Sequence, residues 1–181
     1  MKSRENDDTG GVQALARRDE LVANGKNATG RTRLVGIAGD HGGFELKQYL
    51  VERLRKAGCD VVDFGSRGLT PDDDYPDFVV PAVRAAVATR GKAVVVGGSG
   101  LGECIAANKV KGARAATCFD LYTAKMSRLD NDANVLCFGG RTSVAKKGDA
   151  EKILKIWLAT KFSNASRHKR RIAKITKLER E

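Results

Sequence analysis

Seven consecutive residues carry the densest chemistry in the chain: Gly97-Gly98-Ser99-Gly100-Leu101-Gly102-Glu103. They put a carboxylate, a hydroxyl and a row of backbone N–H groups into one small volume. Glycines let the backbone turn tightly and approach a ligand closely. Amides at the start of a helix present a partial positive charge to that ligand. Such a group can move a proton on a carbon next to a carbonyl and hold the resulting oxyanion. Two readings built on larger ligands fit less well. No G-x-G-x-x-G is present, and no G-K-[ST] follows the glycines, so a dinucleotide or a nucleoside triphosphate is a poorer match than a small sugar or phosphate.

Other candidates lie further off in the sequence. Asp40-His41 sits between Gly39 and Gly42-Gly43. Asp72-Asp73-Asp74 has the composition of a cation loop, but a solvated acidic loop accounts for it better. His41 and His168 are the only two histidines, and neither joins a Cys/His cluster of the kind that holds zinc. Cys104, beside Glu103, is either a nucleophile or a small helix residue packed against its neighbours, and the second role is favoured. Arg167, His168, Arg170 and Arg171 form a dense basic turn. Arg167 and Arg171, four apart, share one helix face, an arrangement that suits a phosphate or a plain surface helix about equally.

These residues need a scaffold, and the pattern supplies one. Strands are expected over Arg33–Ala38, Cys59–Phe64, Ala93–Val96, Ala113–Cys118 and Asn134–Phe138, from short apolar runs bounded by Gly or polar residues. Between them, Leu46, Leu50 and Leu54 mark an amphipathic helix that Gly58 ends. Further helices are expected over Asp77–Thr89, with Pro81 suited to its true first turn, over Leu101–Asn108, and over Asp120–Leu129 with Asp120 as N-cap. Val144–Lys161 and a basic helix from Ser166, capped by that serine, complete the set. Alternation of strand and helix predicts an α/β fold, a three-layer sandwich around a five-stranded parallel sheet. Ligands of such sheets bind at the carboxyl ends of the strands. That rule gathers Asp40-His41, the 97–103 turn and Arg141 on one rim. Residues 1–32 are polar and read as a flexible extension, with a short helix over Val12–Val22 as its one candidate element.

Composition narrows the partners. The 181 residues hold 41% hydrophobic and 30% charged positions, ordinary for a globular domain. No apolar run reaches membrane-spanning length, and the N-terminus lacks the apolar stretch of a signal peptide, so a cytoplasmic protein with reduced thiols is expected. Net charge is +11, concentrated after residue 145, where twelve Lys/Arg face four Asp/Glu. A non-catalytic protein that binds nucleic acid through this tail is the alternative from another class. The basic turns lack interleaved aromatics, which favours phosphate contacts over base stacking.

Taken in order, G-D-H-G-G-F-E-L-K (39–47), D-Y-P-D (74–77), G-G-S-G-L-G-E-x-I-A-A-N-K (97–109), G-A-R-A-A (112–116), N-D-A-N-V-L (131–136), G-G-R (139–141) and R-H-x-R-R (167–171) form a specific set. With it the chain, from about Leu34 to Glu181, resembles the type B ribose-5-phosphate isomerases and the related galactose-6-phosphate isomerase subunits. The resemblance implies a Rossmann-like fold, no metal and no organic cofactor, a homodimer or homotetramer with shared sites, and a sugar-phosphate substrate rather than nucleic acid or membrane. It implies aldose–ketose interconversion through a cis-enediolate. Asp40, His41, Tyr75 and Asn131 would contact the sugar. The amides of Gly98, Ser99, Gly100, Leu101 and Gly102 would hold the enediolate, with Ser99 near O1 and O2. Arg141, and a neighbour's Arg167, His168 and Arg171 on the 164–181 helix, would take the phosphate. Many members place a Cys base at the position of Gly97. One branch uses a Glu at the position of Glu103, and this sequence resembles that branch. Asp130 stands where the family usually has the His assigned to opening the furanose ring. Ribose 5-phosphate is the expected substrate, with a tetrose 4-phosphate or a hexose 6-phosphate as alternatives.

Overall fold

The computed structural model describes residues 34–142 and 146–180. The expectations for residues 1–32, for Arg33 and for the Val144 start of the fifth helix lie outside them. Five strands, β1 (Leu34–Gly39), β2 (Asp60–Asp63), β3 (Lys92–Gly97), β4 (Ala115–Thr117) and β5 (Val135–Gly139), alternate with six helices. These are α1 (Phe44–Lys56), α2 (Tyr75–Ala88), α3 (Leu101–Ala107), α4 (Leu121–Asn131), α5 (Lys147–Ala159) and α6 (Ser166–Leu178). The sheet order is β2-β1-β3-β5-β4, and every pair is parallel. This is the expected α/β sandwich.

Strand alternation splits the core into two layers. Val94 and Val96 of β3, with Leu136 and Phe138 of β5, face Leu50 and Leu54 of α1 and Leu154 and Trp157 of α5. Ala93, Val95, Val135 and Cys137 face Val79, Ala82 and Val83 of α2 and Ala107 of α3. Each fully buried Val or Leu is worth roughly 1.5–3 kcal/mol, so both faces are closed by packing rather than by helix propensity.

Local chemistry sets the helix ends. Gly58, at φ +75°, turns the chain left-handed after α1 as expected of a glycine stop. Asp120 caps α4 in a reciprocal capping box with Thr123, whose N–H donates to Asp120 Oδ1 at 2.7 Å. Two expectations are corrected. α2 starts at Tyr75, not near Pro81: Pro76 takes the first turn, where its missing N–H costs nothing, and Pro81 lies inside, held by buried Val79, Ala82 and Val83. α6 has Ala165, not Ser166, at its N-cap, with no side-chain cap bond; Ser163 Oγ instead accepts the Ala165 N–H at 3.3 Å.

Candidate functional site

The sheet register brings three chain ends together. Gly39 at the end of β1 pairs with Val96, and Gly97 at the end of β3 pairs with Gly139 of β5. Chain order reverses direction between β1 and β3, where a crevice opens above the strand ends. Beyond these ends the chain is laced together: Gly140 N donates to Gly97 O at 2.6 Å and Arg141 N to Gly98 O at 2.9 Å. Gly100, at φ +78°, lies so close to Phe138 and Gly139 that any side chain there would strike their backbone.

Within this frame Glu103 turns back under the glycine turn. It is 4% exposed, and its carboxylate occupies the space that a side chain at position 97 would need: a Cβ on Gly97 would overlap Glu103 Oε1. A side chain at 97 and this placement of Glu103 are therefore mutually exclusive. Burial pushes the Glu103 carboxyl above its ordinary range, and the nearby Asp40 charge adds to that; backbone N–H groups of Glu103 and Gly100 offset part of it. Ser99 Oγ accepts the Leu101 N–H at 3.2 Å, so this hydroxyl supports the turn as well as facing the cleft.

Three further groups close around the turn. Asp40, buried at the end of β1, accepts the Gly43 N–H at 3.2 Å, which fixes the His41–Gly43 turn. Tyr75, first residue of α2, lays its ring within 2.9 Å of where a Gly102 Cβ would stand. The Arg141 guanidinium lies 3.5 Å from the corresponding point over Gly98. Tyr75, Gly98, Ser99, Gly102, Glu103 and Arg141 line an open cleft of about 440 Å³, within the range of small-ligand sites.

The acidic loop is not wholly solvated. Asp73 turns inward, with a 9% exposed side chain, and takes both the His41 backbone N–H at 3.0 Å and His41 Nδ1 at 2.6 Å. Burial works against the Asp73 carboxylate, but the His41 contacts outweigh it and hold its pKa below the ordinary value. Asp40, His41 and Asp73 bring ligand atoms within 4.8 Å of one another, the one such group among the described residues. His41 Nδ1 and Asp73 Oδ1 are already engaged with each other. Sequence reasoning weighed Asp73 only as part of a solvated acidic loop and missed its pairing with His41, 32 residues away, because pairing across a loop leaves no periodic trace. It also missed Lys47, which did leave one: it falls inside the buried stripe of Leu46, Leu50, Val51 and Leu54. Its ammonium donates to Asp63 Oδ2 at 2.7 Å and Ser66 O at 3.0 Å, tying the root of the loop that carries Asp73 and Tyr75.

The remaining candidates are at the opposite, amino-terminal ends of the strands. α4 runs back against the strands, so Asp130 and Asn131 at its end lie beside the start of β5. Arg114, just before β4, donates its Nε to Asn131 O at 3.1 Å. α6 crosses that same end: Ser163 N donates to Leu129 O at 3.0 Å, and Gly112 N to Glu179 Oε1 at 2.9 Å. His168 is buried there, with Nδ1 2.7 Å from Ser163 Oγ and 3.5 Å from Asp130 Oδ1, while Arg167 and Arg171 stay exposed. The four residue steps of β5 alone separate the two ends by roughly 13 Å at about 3.3 Å per step. One chain thus holds two half-sets of candidate residues, facing apart.

Among the described residues no helix is long and apolar enough to cross a membrane. The family model described as Ribose/Galactose Isomerase matches residues 35–175. Ribose-5-phosphate isomerase B of Mycobacterium tuberculosis is 41% identical over 147 residues, covering 81% of this chain and 90% of that protein. The solved ribose-5-phosphate isomerase B of Clostridium thermocellum superposes with a TM-score of 0.77 at 42% identity, over 81% of this chain and 97% of that one. The Mycoplasma genitalium enzyme, solved with bound ribulose-5-phosphate, gives a TM-score of 0.78 at 36% identity, over 83% and 98% of the two chains.

Proposed function

Because the chain belongs to the ribose/galactose isomerase family, we propose that it interconverts ribose 5-phosphate and ribulose 5-phosphate through a cis-enediolate, with Glu103 as the base. The observation that carries the assignment of the base is the buried carboxylate filling the void at Gly97, directly under the glycine turn. Glu103 takes the proton from C2 of the open-chain aldose and returns it to C1. Ser99 and the amides of the 98–102 turn hold the enediolate oxygens, as fixed dipoles aimed at developing charge do. Asp40, His41 and Tyr75 orient the sugar hydroxyls, and Arg141 binds phosphate.

The second half-set comes from a second copy of the chain. Exposed Leu101 and Ile105 on α3, with Phe119, Leu121 and Tyr122 around the start of α4, give an apolar face beside the cleft for that copy to cover. Its Asp130, Asn131, Arg167, His168 and Arg171 then complete the site. A second substrate reading rests on Asp130. Its neighbour His168 already spends Nδ1 on Ser163 and Asp130. A tetrose 4-phosphate cannot close a furanose ring, because O4 carries the phosphate, and so needs no ring-opening imidazole.

A panel of aldose and ketose phosphates of four to six carbons, ranked by kcat/KM, decides between them. The pentose pair ranking first supports the main reading. A tetrose phosphate ranking first replaces it, and no turnover on any member overturns the isomerase assignment.

A further inference from the structure

An aldopentose 5-phosphate arrives as a furanose, because its free O4 closes on C1. The C2 proton becomes acidic only once C1 is a carbonyl, so the ring must open before Glu103 can act. Opening it takes an acid–base group beside C1. An imidazole suits that task at neutral pH, and the chain has two. His168 is buried within its own chain, with Nδ1 against Ser163 Oγ and Asp130 Oδ1. His41 is open and stands beside the glycine turn. Its own turn, 41–43, lies against that one: a Cβ on Gly42 would be 2.9 Å from Gly98 N. Its partner Asp73 lies two residues before Tyr75, whose ring covers Gly102. Gly98, Gly102 and Tyr75 line one cleft, so the His41–Asp73 pair joins two of its walls. Resting on the isomerase reading above, we propose that His41, positioned by Asp73, opens the furanose ring of the bound sugar phosphate.

The pairing decides which nitrogen works. Asp73 Oδ1 faces His41 Nδ1 at 2.6 Å and accepts the His41 backbone N–H at 3.0 Å. An ionised carboxylate only accepts, so Nδ1 carries a proton. Nε2 is then the basic nitrogen, and it has no hydrogen-bond partner among the described residues. The His41 side chain is 34% exposed and that of Asp73 9%, so the pair offers the ring and hides the carboxylate. A carboxylate held on Nδ1–H sets the tautomer and orientation of an imidazole and stabilises the imidazolium that it becomes. Lys47, through Asp63 Oδ2 and Ser66 O, steadies the root of the loop that carries Asp73. In the step, Nε2 takes the proton of the O1 hydroxyl. The O1–H electron pair becomes the second C1–O1 bond, and the C1–O4 bond breaks with its pair going to O4. O4 then takes the proton from Nε2. O1 and O4 are both bonded to C1, so one nitrogen reaches each in turn, and His41 ends neutral as it began. Glu103 then acts at C2 of the open chain.

The test uses the full chain and both sugars of the pair. Ribulose 5-phosphate carries its phosphate on O5 and cannot close a furanose, so it reaches Glu103 with no ring to open. Wild-type protein should speed exchange between the α and β anomers of ribose 5-phosphate, followed at C1 by NMR magnetisation transfer. It should also carry deuterium from D2O into C1 of ribulose 5-phosphate. His41→Asn, or His41→Gln if the first folds poorly, should lose the anomer exchange. It should also lose about 100-fold or more in kcat/KM on ribose 5-phosphate, the scale of a positioned acid–base group. Its deuterium incorporation should stay within about tenfold of the wild type. Asp73→Asn should show the same split, with a loss of about tenfold or more on ribose 5-phosphate. A merely structural pair would lower both readouts together, so equal losses overturn the proposal. Undiminished ribose 5-phosphate turnover in the His41 variants overturns it too, as does a wild type that isomerises without speeding anomer exchange. A wild type with neither turnover nor exchange on either sugar sinks the isomerase reading itself, and this role with it.

Discussion

Glu103 and Gly97 are one feature seen from two positions: the carboxylate needs the space, and the glycine leaves it. A carboxylate whose basicity is raised by desolvation suits proton abstraction beside a carbonyl. Glu103→Gln is expected to lower kcat by roughly 10²–10⁴-fold, the usual scale for a positioned base. KM should change little, since phosphate affinity rests on arginines. Cys104→Ala should stay within about tenfold of the wild type, a barrier change of about 1.4 kcal/mol or less. Steady-state kinetics on the best substrate of the panel checks both, and the reverse ranking would dislodge Glu103 as the base. The pH profile tests its surroundings. Burial and the Asp40 charge both raise the Glu103 pKa, and the base works only when deprotonated. The acid limb of kcat/KM should therefore lie above the ordinary glutamate value of 4.5. Asp40→Asn removes a negative charge that opposed ionisation, so that limb should move to lower pH, whatever the variant's kcat.

Helices and strands were legible in the sequence wherever a periodic face met a core. The Leu46, Leu50, Leu54 spacing fixed α1, and Gly58 its stop. The apolar runs at 93–96 and 134–138 gave β3 and β5 nearly to the residue, and Asp120 was recognisable as a cap from its type alone. What escaped were contacts between elements remote in sequence. Asp73 looked like part of a solvated run until the fold brought it under His41. The inward lysine at 47 left a trace inside the apolar stripe, but its partners Asp63 and Ser66, like the overlap of position 97 with Glu103, exist only in three dimensions. A fourth tertiary contact clamps α1 to α5: Glu151 accepts from Arg53 Nη2 and Tyr49 Oη, both at 2.7 Å, and pairs with Lys155. Arg53, then Lys155 and Tyr49, bring Glu151 down to about 2 from 4.5. A carboxylate depressed by folding stabilises fully above its unfolded value and loses that contribution as pH falls through the folded one. Melting temperature should thus decline between pH 4.5 and about 2. Glu151→Gln should melt lower at neutral pH and show a shallower decline over that window; a parallel curve would mean that other carboxylates govern the acid limb.

At the scale of the whole molecule, the proposed site needs residues that one chain holds apart, so the proposal calls for a second copy. The proposed base, glycine turn and Arg141 stand at the carboxyl ends of the strands, and Asp130, Asn131, Arg167 and Arg171 at the other ends. A closed two-fold dimer resolves this, because the same pair of surfaces makes two equivalent sites. In the proposed dimer each site would draw its base from one copy and its second set of phosphate ligands from the other. Glu103→Gln and Arg171→Ala should each be strongly impaired as homodimers, the first in kcat, the second mainly in KM through loss of a charged phosphate contact. When the two variants are unfolded together, mixed and refolded, half of the dimers are hybrids. One site in each hybrid carries both lesions, and the other carries neither. Activity should therefore recover to about a quarter of the wild type in an equal mixture. If each chain supplied its own arginine, every site would keep exactly one lesion, and mixing would recover nothing. Separating the hybrids by differential tags before the assay makes the result independent of refolding yield, and inactive hybrids would show that α6 serves its own chain.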